Sequence, residues 1–491
     1  MEGFRRAIEY IKTALIALLI ISAVCLFIAY MFEFQTISED RAIAFDDMKV
    51  LSGNDTRAAY DLTSDCIFPA AFAYSCDGTQ NLFTKSRSLY NTAYGEALDY
   101  LKVMYSSSSY CVKITDGAYD VWNYCMRRDF VYLLYQKPLP VSLLCLFSGN
   151  FDSGVDDAVQ GELPYIREIF LLSGDAYLAS AFSRASGKSV SPASGDICAA
   201  ARDADGEIYL IFNVSSRSEA KFDKALFSAY NKNDSVCAFS FFRDVCADGR
   251  FAGMTGRFSD TVIIPEKVSA VQNVIAENCT ASDFSDAVIL KFLEDVGINT
   301  TKLRHYASAD DEETYISENF IFRISNDGAV TYQATGDVGI PISAVLGYST
   351  ASGNYSLFDS LSAVEKFLSC AEKDLGSAFF GSNIFSRLVT DCVFENGVLT
   401  LKYGYGADGI LLKGRPCASV TVENGSITSA EINTLKASTS GESRKPESAD
   451  WILEYSAYSD TFEAERTLAG IRIVYAERDG VCKAEWEVSA R

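Results

Sequence analysis

The sequence predicts an α+β protein in which an N-terminal transmembrane helix is followed by two or three extracytoplasmic domains of antiparallel sheet with packed helices. Three observations predict this. Residues 13–32 form an uncharged apolar segment. Helix-periodic and strand-alternating segments succeed each other along the rest of the chain. Finally, 491 residues are more than one ordinary core contains.

The apolar segment TALIALLIISAVCLFIAYMF, from Thr13 to Phe32, is long enough to cross a bilayer. At about 1.5 Å per residue it spans roughly 30 Å, the thickness of the hydrocarbon core. Arg5, Arg6 and Lys12 precede it, and Glu33 is the first of several acidic residues after it. The positive-inside rule therefore predicts a single-pass protein of the cell membrane, with a cytoplasmic N-terminus and the bulk of the chain outside.

Two other interpretations of this segment are less favoured. A cleaved signal peptide needs a shorter apolar run and a small-residue exit, which the sequence lacks. A lipoprotein site at Cys25 would need a small residue where Val24 stands. We therefore predict that residues 1–35 form a cytoplasmic tip and a retained signal anchor. Small residues could let this helix pack laterally against another helix, although a plain anchor is equally compatible; they are Ala14, Ala17, Ser22, Ala23 and Ala29.

The charge balance and the histidine content exclude several classes of function. The formal net charge is −22, which disfavours nucleic acid because phosphate binding needs clustered cations. A single histidine in the whole chain excludes an HExxH protease and any metal site built from several histidines. We therefore expect neither a metal nor a cofactor.

Cysteines are numerous but show no motif. None of the 14 belongs to a CxxC pair, so a zinc ribbon or a thioredoxin-like site is disfavoured. Most lie in apolar segments, where a free thiol behaves as a small hydrophobic group. We expect buried free thiols. A few disulfides are the alternative, with Cys237–Cys246 the nearest local pair.

Periodicity predicts elements in three regions. The N-terminal domain, 36–265, should contain helices at 86–105 and 218–230 and a strand at 207–214. A further strand should begin at Tyr132 and stop at a Pro-x-Pro sequence, followed by a buried helix that ends at Phe147. Ser-rich loops are expected at 106–109 and 183–194. The central domain, 266–350, should contain a helix at 283–296 and a hairpin around Asn326-Asp327-Gly328. The C-terminal domain, 351–491, should contain a helix at 359–375, strands around 399–405 and 420–422, a polar loop at 436–449 and a closing strand pair.

No motif selects a catalytic residue. Ser218 and Lys221 have the S-x-x-K spacing, but the companion SDN and KTG sequences are absent. His305 has no G-x-S-x-G serine to act on. The acidic stretches at 203–207 and 310–313 do not match an EF-hand loop, and nothing selects a glycosidase pair among the many carboxylates. We expect a protein that is not an enzyme.

Four segments resemble the YycH/YycI-type family. They are FVYLLYQKPLPVSLLCLF (130–147), NFIFRISNDGAVTYQATGDVGIPI (319–342), LTLKYGYGADGILLKGRPCASVTVENGSITSAEI (399–432) and AGIRIVYAERDGVCKAEWEVSA (469–490). In the last one, Ala484 stands where the family has the proline of a P-x-W strand. The resemblance is that of a divergent member.

The resemblance implies a membrane-anchored extracytoplasmic protein that modulates a two-component sensor histidine kinase, and so cell-envelope homeostasis in a Gram-positive host, by protein–protein contact. It implies as partners the kinase and a second single-pass regulator, and it carries no catalytic residues. The alternative is an ectodomain that binds or remodels peptidoglycan, because the 62 aromatic residues could line a sugar groove.

The predicted topology can be tested with protease added to intact protoplasts. If residues beyond 35 are outside, nearly the whole chain should be digested, because only the short N-terminus and the spanning helix are protected. An N-terminal and a C-terminal epitope tag, probed separately, give the measurement. Survival of the C-terminal tag in intact protoplasts would contradict the orientation.

Overall fold

Two large sheets contain most of the strands, and each draws them from one stretch of the sequence. The computed structural model describes residues 69–490 except 84–87, 106–108, 142, 145–158, 160–161, 193–194, 214–220, 233–235, 248–258, 308–311, 337–338, 348–354, 356, 376–384, 408–409, 450, 452, 454–467 and 479. Among the described residues, no helix combines the length and the apolarity needed to cross a bilayer. The predicted anchor and its candidate contact residues, Ala14, Ala17, Ser22, Ala23 and Ala29, lie outside the described residues.

The first sheet has nine strands, and every neighbouring pair is antiparallel. The strands are β1 (Ala71–Cys76), β2 (Thr79–Phe83), β3 (Ser109–Ile114), β4 (Phe130–Pro140), β5 (Tyr165–Ser173), β6 (Ile197–Arg202), β7 (Ile208–Asn213), β8 (Val236–Phe241) and β9 (Ile263–Pro265). Their order is β3-β7-β6-β5-β4-β1-β2-β8-β9. The central strands have little solvent exposure because they are mostly apolar and lie within the sheet.

Helices cover the first sheet. They are α1 (Ser88–Met104), α2 (Ala118–Cys125), α3 (Ala176–Ser186), α4 (Lys224–Ser228), which continues as a 3₁₀ turn (Ala229–Lys232), and α5 (Phe242–Ala247). The predicted apolar row of α1, with Ala93, Ala97, Leu101 and Met104, is buried. The 3.6-residue spacing of these side chains is what lets one face of the helix be buried.

The second sheet has 13 strands and takes them all from residue 271 onward. They are β10 (Val271–Asn278), β11 (Arg304–Ala307), β12 (Glu313–Ile316), β13 (Phe320–Ile324), β14 (Ala329–Ala334), β15 (Ile340–Pro341), β16 (Phe385–Glu395), β17 (Val398–Ala407), β18 (Ile410–Glu423), β19 (Ser426–Asn433), β20 (Leu435–Arg444), β21 (Leu468–Arg478) and β22 (Val481–Ala490). The main path is β11-β12-β13-β14-β19-β18-β21-β22-β10-β20; β15 pairs with β19, and β17 pairs with β16 and β18. The contact between β18 and β21 is parallel, at Leu412 and Tyr475.

Three helices pack on the second sheet: α6 (Asp286–Asp295), α7 (Ile342–Leu346) and α8 (Leu357–Asp374). Short 3₁₀ turns lie at Ala281–Asp283 and Thr300–Lys302. The apolar face predicted for α8 is buried, including Leu361, Val364 and Phe367. The hairpin predicted around Asn326-Asp327-Gly328 is present as β13 and β14, with Ile324 paired to Val330.

The sequence-based boundary at 265–266 falls between the last strand of the first sheet and the first strand of the second. Strands from 271–341 and from 385–490 share the second sheet, through the pairing of β14 with β19. The mixed α+β class with antiparallel sheets and packed helices is confirmed. The number of domains stays a prediction.

The predicted Pro-x-Pro stop is wrong, because β4 continues through Pro138 to Pro140. Strand β1 pairs with β4 only as far as Leu134. Beyond a register shift, β4 pairs with β5 alone. A proline lacks the N–H that a ladder needs, and it is tolerated here because one side of β4 no longer has a partner strand.

Three other local predictions are wrong. Helix α3 extends to Ser186 in the segment predicted as a loop, and it ends at Gly187, whose φ of 68° suits glycine. The helix predicted from Ser218 begins only at Lys224, after its cap Asp223; residues 218–220 lie outside the described residues. The polar loop predicted at 436–449 contains strand β20, whose exposed residues give no apolar alternation.

The described cysteines form no disulfide, and Cys237 and Cys246 are separate thiols. Cys237 lies on β8 and Cys246 on the following helix α5. Burial, with a smaller effect from Glu266, raises the pKa of the Cys237 thiol to about 11. The local pair considered from the sequence is therefore not formed.

A buried ion pair lies at the centre of the first sheet. The Nη1 atom of Arg202 is 3.3 Å from each carboxylate oxygen of Glu168, and only 1% of the Glu168 side chain is exposed. The hydroxyls of Tyr132 and Thr261 donate to the same carboxylate at 3.0 and 2.8 Å, and the Arg202 guanidinium lies 4.2 Å from the ring centre of Trp122. These partners compensate for taking both charges out of water.

Replacing Glu168 with Gln should destabilise the protein by about 3 kcal/mol or more, because Arg202 keeps its buried charge without a counter-ion. The matched control is Glu207→Gln, which removes a half-exposed pair with Lys113 and should cost under about 1 kcal/mol. Urea unfolding followed by tryptophan fluorescence gives the comparison. Equal stability losses in the two variants would contradict the role assigned to the buried pair.

Candidate functional site

The residues considered for catalysis from the sequence do not come together. Ser218 lies outside the described residues, and the Lys221 ammonium is bound by Asp196 Oδ1 at 2.6 Å. His305 lies on strand β11, with its Nε2 atom 2.5 Å from Glu313 Oε2 and its ring stacked on Tyr315 at 4.4 Å. The positions of Lys221 and His305 are explained by surface pairing.

The acidic stretches have structural explanations where they are described. Asp203 Oδ1 accepts the backbone N–H groups of Asp205 and Glu207, both at 2.9 Å, which is the geometry of a side-chain-stabilised turn. Asp310 and Asp311 lie outside the described residues. Within the described part of the chain, no group of three His, Cys, Asp or Glu side chains is arranged to hold a metal ion.

A cleft of about 370 Å³ lies where the two sheets meet. It lies at the connection between β9 and β10, residues 266–270, and this volume is within the range typical of ligand pockets. We call it the inter-sheet cleft. Both sheets contribute its walls, so neither sheet alone would form it; the lining includes residues of β1, β2, β4, β8, β9, β10, β16, β18, β21 and β22.

The lining combines aliphatic walls with polar groups such as Gln136 and Gln272. The first sheet contributes Phe72, Leu82 and Ile263, and the second sheet contributes aliphatic side chains around Leu411 and Ile473. Exposed residues of the connection, such as Ser269 and Ala270, place one side of the cleft at the protein surface. The cleft is therefore a concavity with aliphatic walls that water can reach.

Two glycines of β17 provide room for this wall. A Cβ atom at Gly404 would lie 2.5 Å from Leu411 Cδ1, and one at Gly406 would overlap Leu388. Leu388 and Leu411 both line the cleft. Glycine is therefore needed at 404 and 406 to let these side chains lie across the strand, which is a common reason for glycine inside a strand.

Charged groups at the cleft are cationic. Lys267 and Arg472 line it, and no carboxylate does so among the described residues. Arg472 on β21 donates from Nε to Glu487 Oε2 on β22 at 2.8 Å, and its Nη2 donates to the same oxygen. Lys413 Nζ is 3.1 Å from the other oxygen of Glu487. This trio of charged groups holds the closing hairpin against β18.

A solved structure has a similar arrangement: the crystal structure of YycH from Bacillus subtilis, with a TM-score of 0.50 and 11% sequence identity. The match covers 87% of this chain and 96% of that one. The chain has a YycH-like fold. No family model and no curated protein sequence matches it. The fold expected from the sequence resemblance is thus supported by the structure, at a low level of identity.

The chain has a second concavity, of about 560 Å³, beside β11, β12 and β13. Lys302, Arg304 and Glu318 give it a mixed charge, and its two aromatic rings, Phe320 and Tyr332, are buried. The large exposed aromatic residues are Tyr110 on β3, Tyr119 on α2, Tyr177 on α3, Tyr306 on β11, Phe394 on β16 and Trp451 after β20. None of them lines the inter-sheet cleft or this second concavity, and the Tyr177 ring packs on Tyr124 at 4.3 Å.

Sequence reasoning did not find the inter-sheet cleft. Its residues come from ten strands, and no local spacing relates them. One signal was available: Arg472 lies between Ile471 and Ile473 in a strand predicted from its apolar residues. A charged residue inside such a strand indicates either a buried pair or a site.

The pair of Arg472 and Glu487 should make stability depend on pH. Burial acts to raise the pKa of Glu487, but its hydrogen bonds with Arg472 and Lys413 outweigh burial, so the pKa lies below its ordinary value. A lowered carboxyl pKa stabilises the folded state above the ordinary glutamate pKa of about 4.3, and this stabilisation is lost as the pH falls through the folded pKa. Glu487→Gln should therefore cost about 1 kcal/mol at neutral pH and progressively less in acid.

Urea unfolding of both proteins at a series of pH values gives this measurement. The control variant is Glu431→Gln, an exposed residue of β19, which should show a smaller effect at neutral pH. A difference between Glu487→Gln and wild type that grew as the pH fell would contradict the charge pairing.

Proposed function

We propose that this chain is a membrane-anchored, extracytoplasmic regulatory protein that modulates a two-component sensor histidine kinase by protein–protein contact. It is a divergent relative of the YycH/YycI-type regulators and is not an enzyme. The observation that carries the proposal is the YycH-like fold, which extends over 87% of this chain.

Two further features support the proposal. The apolar segment at 13–32 has the length and flanking charges of a signal anchor, which would place the chain in the same membrane as a sensor kinase. Four sequence segments in order along the chain resemble the same family, so the sequence and the fold point to one type of protein.

The described surface offers an edge suited to contact. Strand β11 ends the second sheet on one side, and all four of its residues, Arg304–Ala307, are exposed. An edge strand presents backbone N–H and C=O groups that a partner's strand can pair with. Because β11 is short and carries Arg304, it pairs poorly with arbitrary strands. A partner strand would need a complementary charge.

Site-specific photo-crosslinking in the host membrane tests the proposal. A photoreactive amino acid at Ala17 examines the predicted helix, one at Tyr306 examines the β11 edge, and one at Tyr119, exposed on α2, is the matched control. We expect a sensor histidine kinase to be captured from Ala17 or Tyr306 and not from Tyr119, because contact must involve a defined surface. Mass spectrometry of the captured partner gives the readout.

Replacing residues 13–32 with an unrelated spanning helix separates anchoring from signalling. Anchoring depends on length and apolarity and should persist, whereas lateral packing depends on side-chain complementarity and should be lost. Loss of kinase capture with normal membrane insertion would support a helix contact through Ala14, Ala17, Ser22, Ala23 and Ala29. Absence of any kinase at all three crosslinking positions, together with binding of the protein to peptidoglycan sacculi, would favour the wall-binding alternative.

The proposal also predicts that no side chain here performs catalysis. Ser218→Ala and His305→Ala should each leave the regulatory phenotype unchanged in the host, because neither residue belongs to a reaction site and the His305 substitution keeps the backbone groups through which the β11 edge would pair. Quantitative immunoblotting of each variant controls for abundance. A loss of function at normal abundance in either variant, with capture of the kinase retained, would contradict the proposal.

A further inference from the structure

The structure assigns a ligand to the inter-sheet cleft: we propose that it binds an amphiphile made of a single acyl chain with a carboxylate head, that is, a fatty acid. This inference goes beyond the proposed kinase regulation and does not depend on it. It follows from the volume, the aliphatic walls and the charge of the cleft taken together.

The volume of the cleft is sufficient for a ligand. The cleft is about 370 Å³, within the range typical of small-molecule sites, whereas about 10–15 Å³ holds one water. Water can reach the cleft, so a ligand with a carbon chain would displace water from the aliphatic side chains of its walls, which is favourable.

The lining matches an acyl chain. Residues of both sheets, including Leu82, Ile263, Leu388, Leu411 and Ile473, present aliphatic groups to the cleft. Moving methylene groups from water into such surroundings is favourable in proportion to the area buried. The cleft volume suits one acyl chain rather than the two chains of a phospholipid.

The charges match an acidic head group. The chain has a net charge of −22, yet the cleft is lined by two cations and, among the described residues, by no carboxylate. Lys267 is exposed at the connection between the sheets. Arg472 uses Nε and Nη2 for Glu487, and its Nη1 carries two further N–H donors. Lys413 also pairs with Glu487, so this carboxylate is shared between two cations and does not fully neutralise Arg472.

Tryptophan fluorescence can report occupancy, because Trp486 lines the cleft. The chain has three tryptophans. Trp122 is fully buried in the core of the first sheet, and Trp451 is exposed. The full chain in lipid nanodiscs, carrying Trp451→Phe, would be titrated with brominated stearate, whose bromine quenches a tryptophan that it touches. Saturable quenching that disappears in a further Trp486→Phe variant is the expected result.

Three variants and one control probe separate the contributions of head and chain. Lys267→Gln combined with Arg472→Gln should weaken binding about tenfold or more, since charge-assisted bonds to the carboxylate are lost. Val268→Phe should weaken binding by filling the cleft. Lys113→Gln, on β3 at the far edge of the first sheet, should bind like wild type. The matched brominated alcohol should bind about tenfold more weakly than the acid.

Several outcomes would overturn the inference. Quenching that rises linearly with the probe and is unchanged by Trp486→Phe would show only partition into the nanodisc. Equal affinity for the acid and the alcohol would show that the cations do not bind a head group. Lys267→Gln alone changes an exposed side chain and should weaken binding with an unchanged melting temperature, which separates the loss of a charge from unfolding; the melting temperature of the double variant is measured beside it.

Discussion

The buried pair of Glu168 and Arg202 is the constraint on which the connection between the two sheets depends. Thr261 donates to this carboxylate from just before β9, at 2.8 Å. Strand β9 begins at Ile263, which lines the cleft, and the chain then crosses at 266–270 into the second sheet. Because the charge at Glu168 must be compensated inside the sheet, the start of this crossing has a fixed position. The wall formed by the first sheet is set by an interaction that lies away from the cleft itself.

The second wall is positioned by ion pairs of a different kind. Arg415 on β18 binds both oxygens of Glu477 on β21, at 2.7 and 2.9 Å, and also donates to Asn278 on β10 at 2.6 Å. Parallel pairing between β18 and β21 is limited to one register position, so side chains supply much of this junction. Bidentate arginine–carboxylate geometry fixes direction as well as distance. The closing hairpin, which carries Arg472 and Trp486, therefore has a defined position relative to β18.

How far the sequence predicted this structure depends on whether the signal was local. Helix α8 and the hairpin at Asn326-Asp327-Gly328 were predicted because their periodicity and turn residues are contiguous. Strand β20 was not, because its residues are polar on both faces and only pairing with β10 makes it a strand. The cleft was also not predicted, because its residues come from strands that are far apart in the chain. Only the pairing register and the crossing between the two sheets bring them together. The contact residues predicted for the apolar segment at 13–32 lie outside the described residues.

At 11% identity to YycH, the two proteins share an arrangement of elements far more than they share side chains. Apolar patterning is enough to specify such an arrangement, because many hydrophobic residues fill similar core positions. Partner choice has a different physical basis, since it depends on exposed charges, edges and concavities that patterning does not fix. The surfaces on which partner choice in this chain could depend are the exposed β11 edge, the inter-sheet cleft with its two cations, and the side chains of the predicted membrane helix. Function in this fold therefore depends on those surfaces, and the shared architecture determines where they lie.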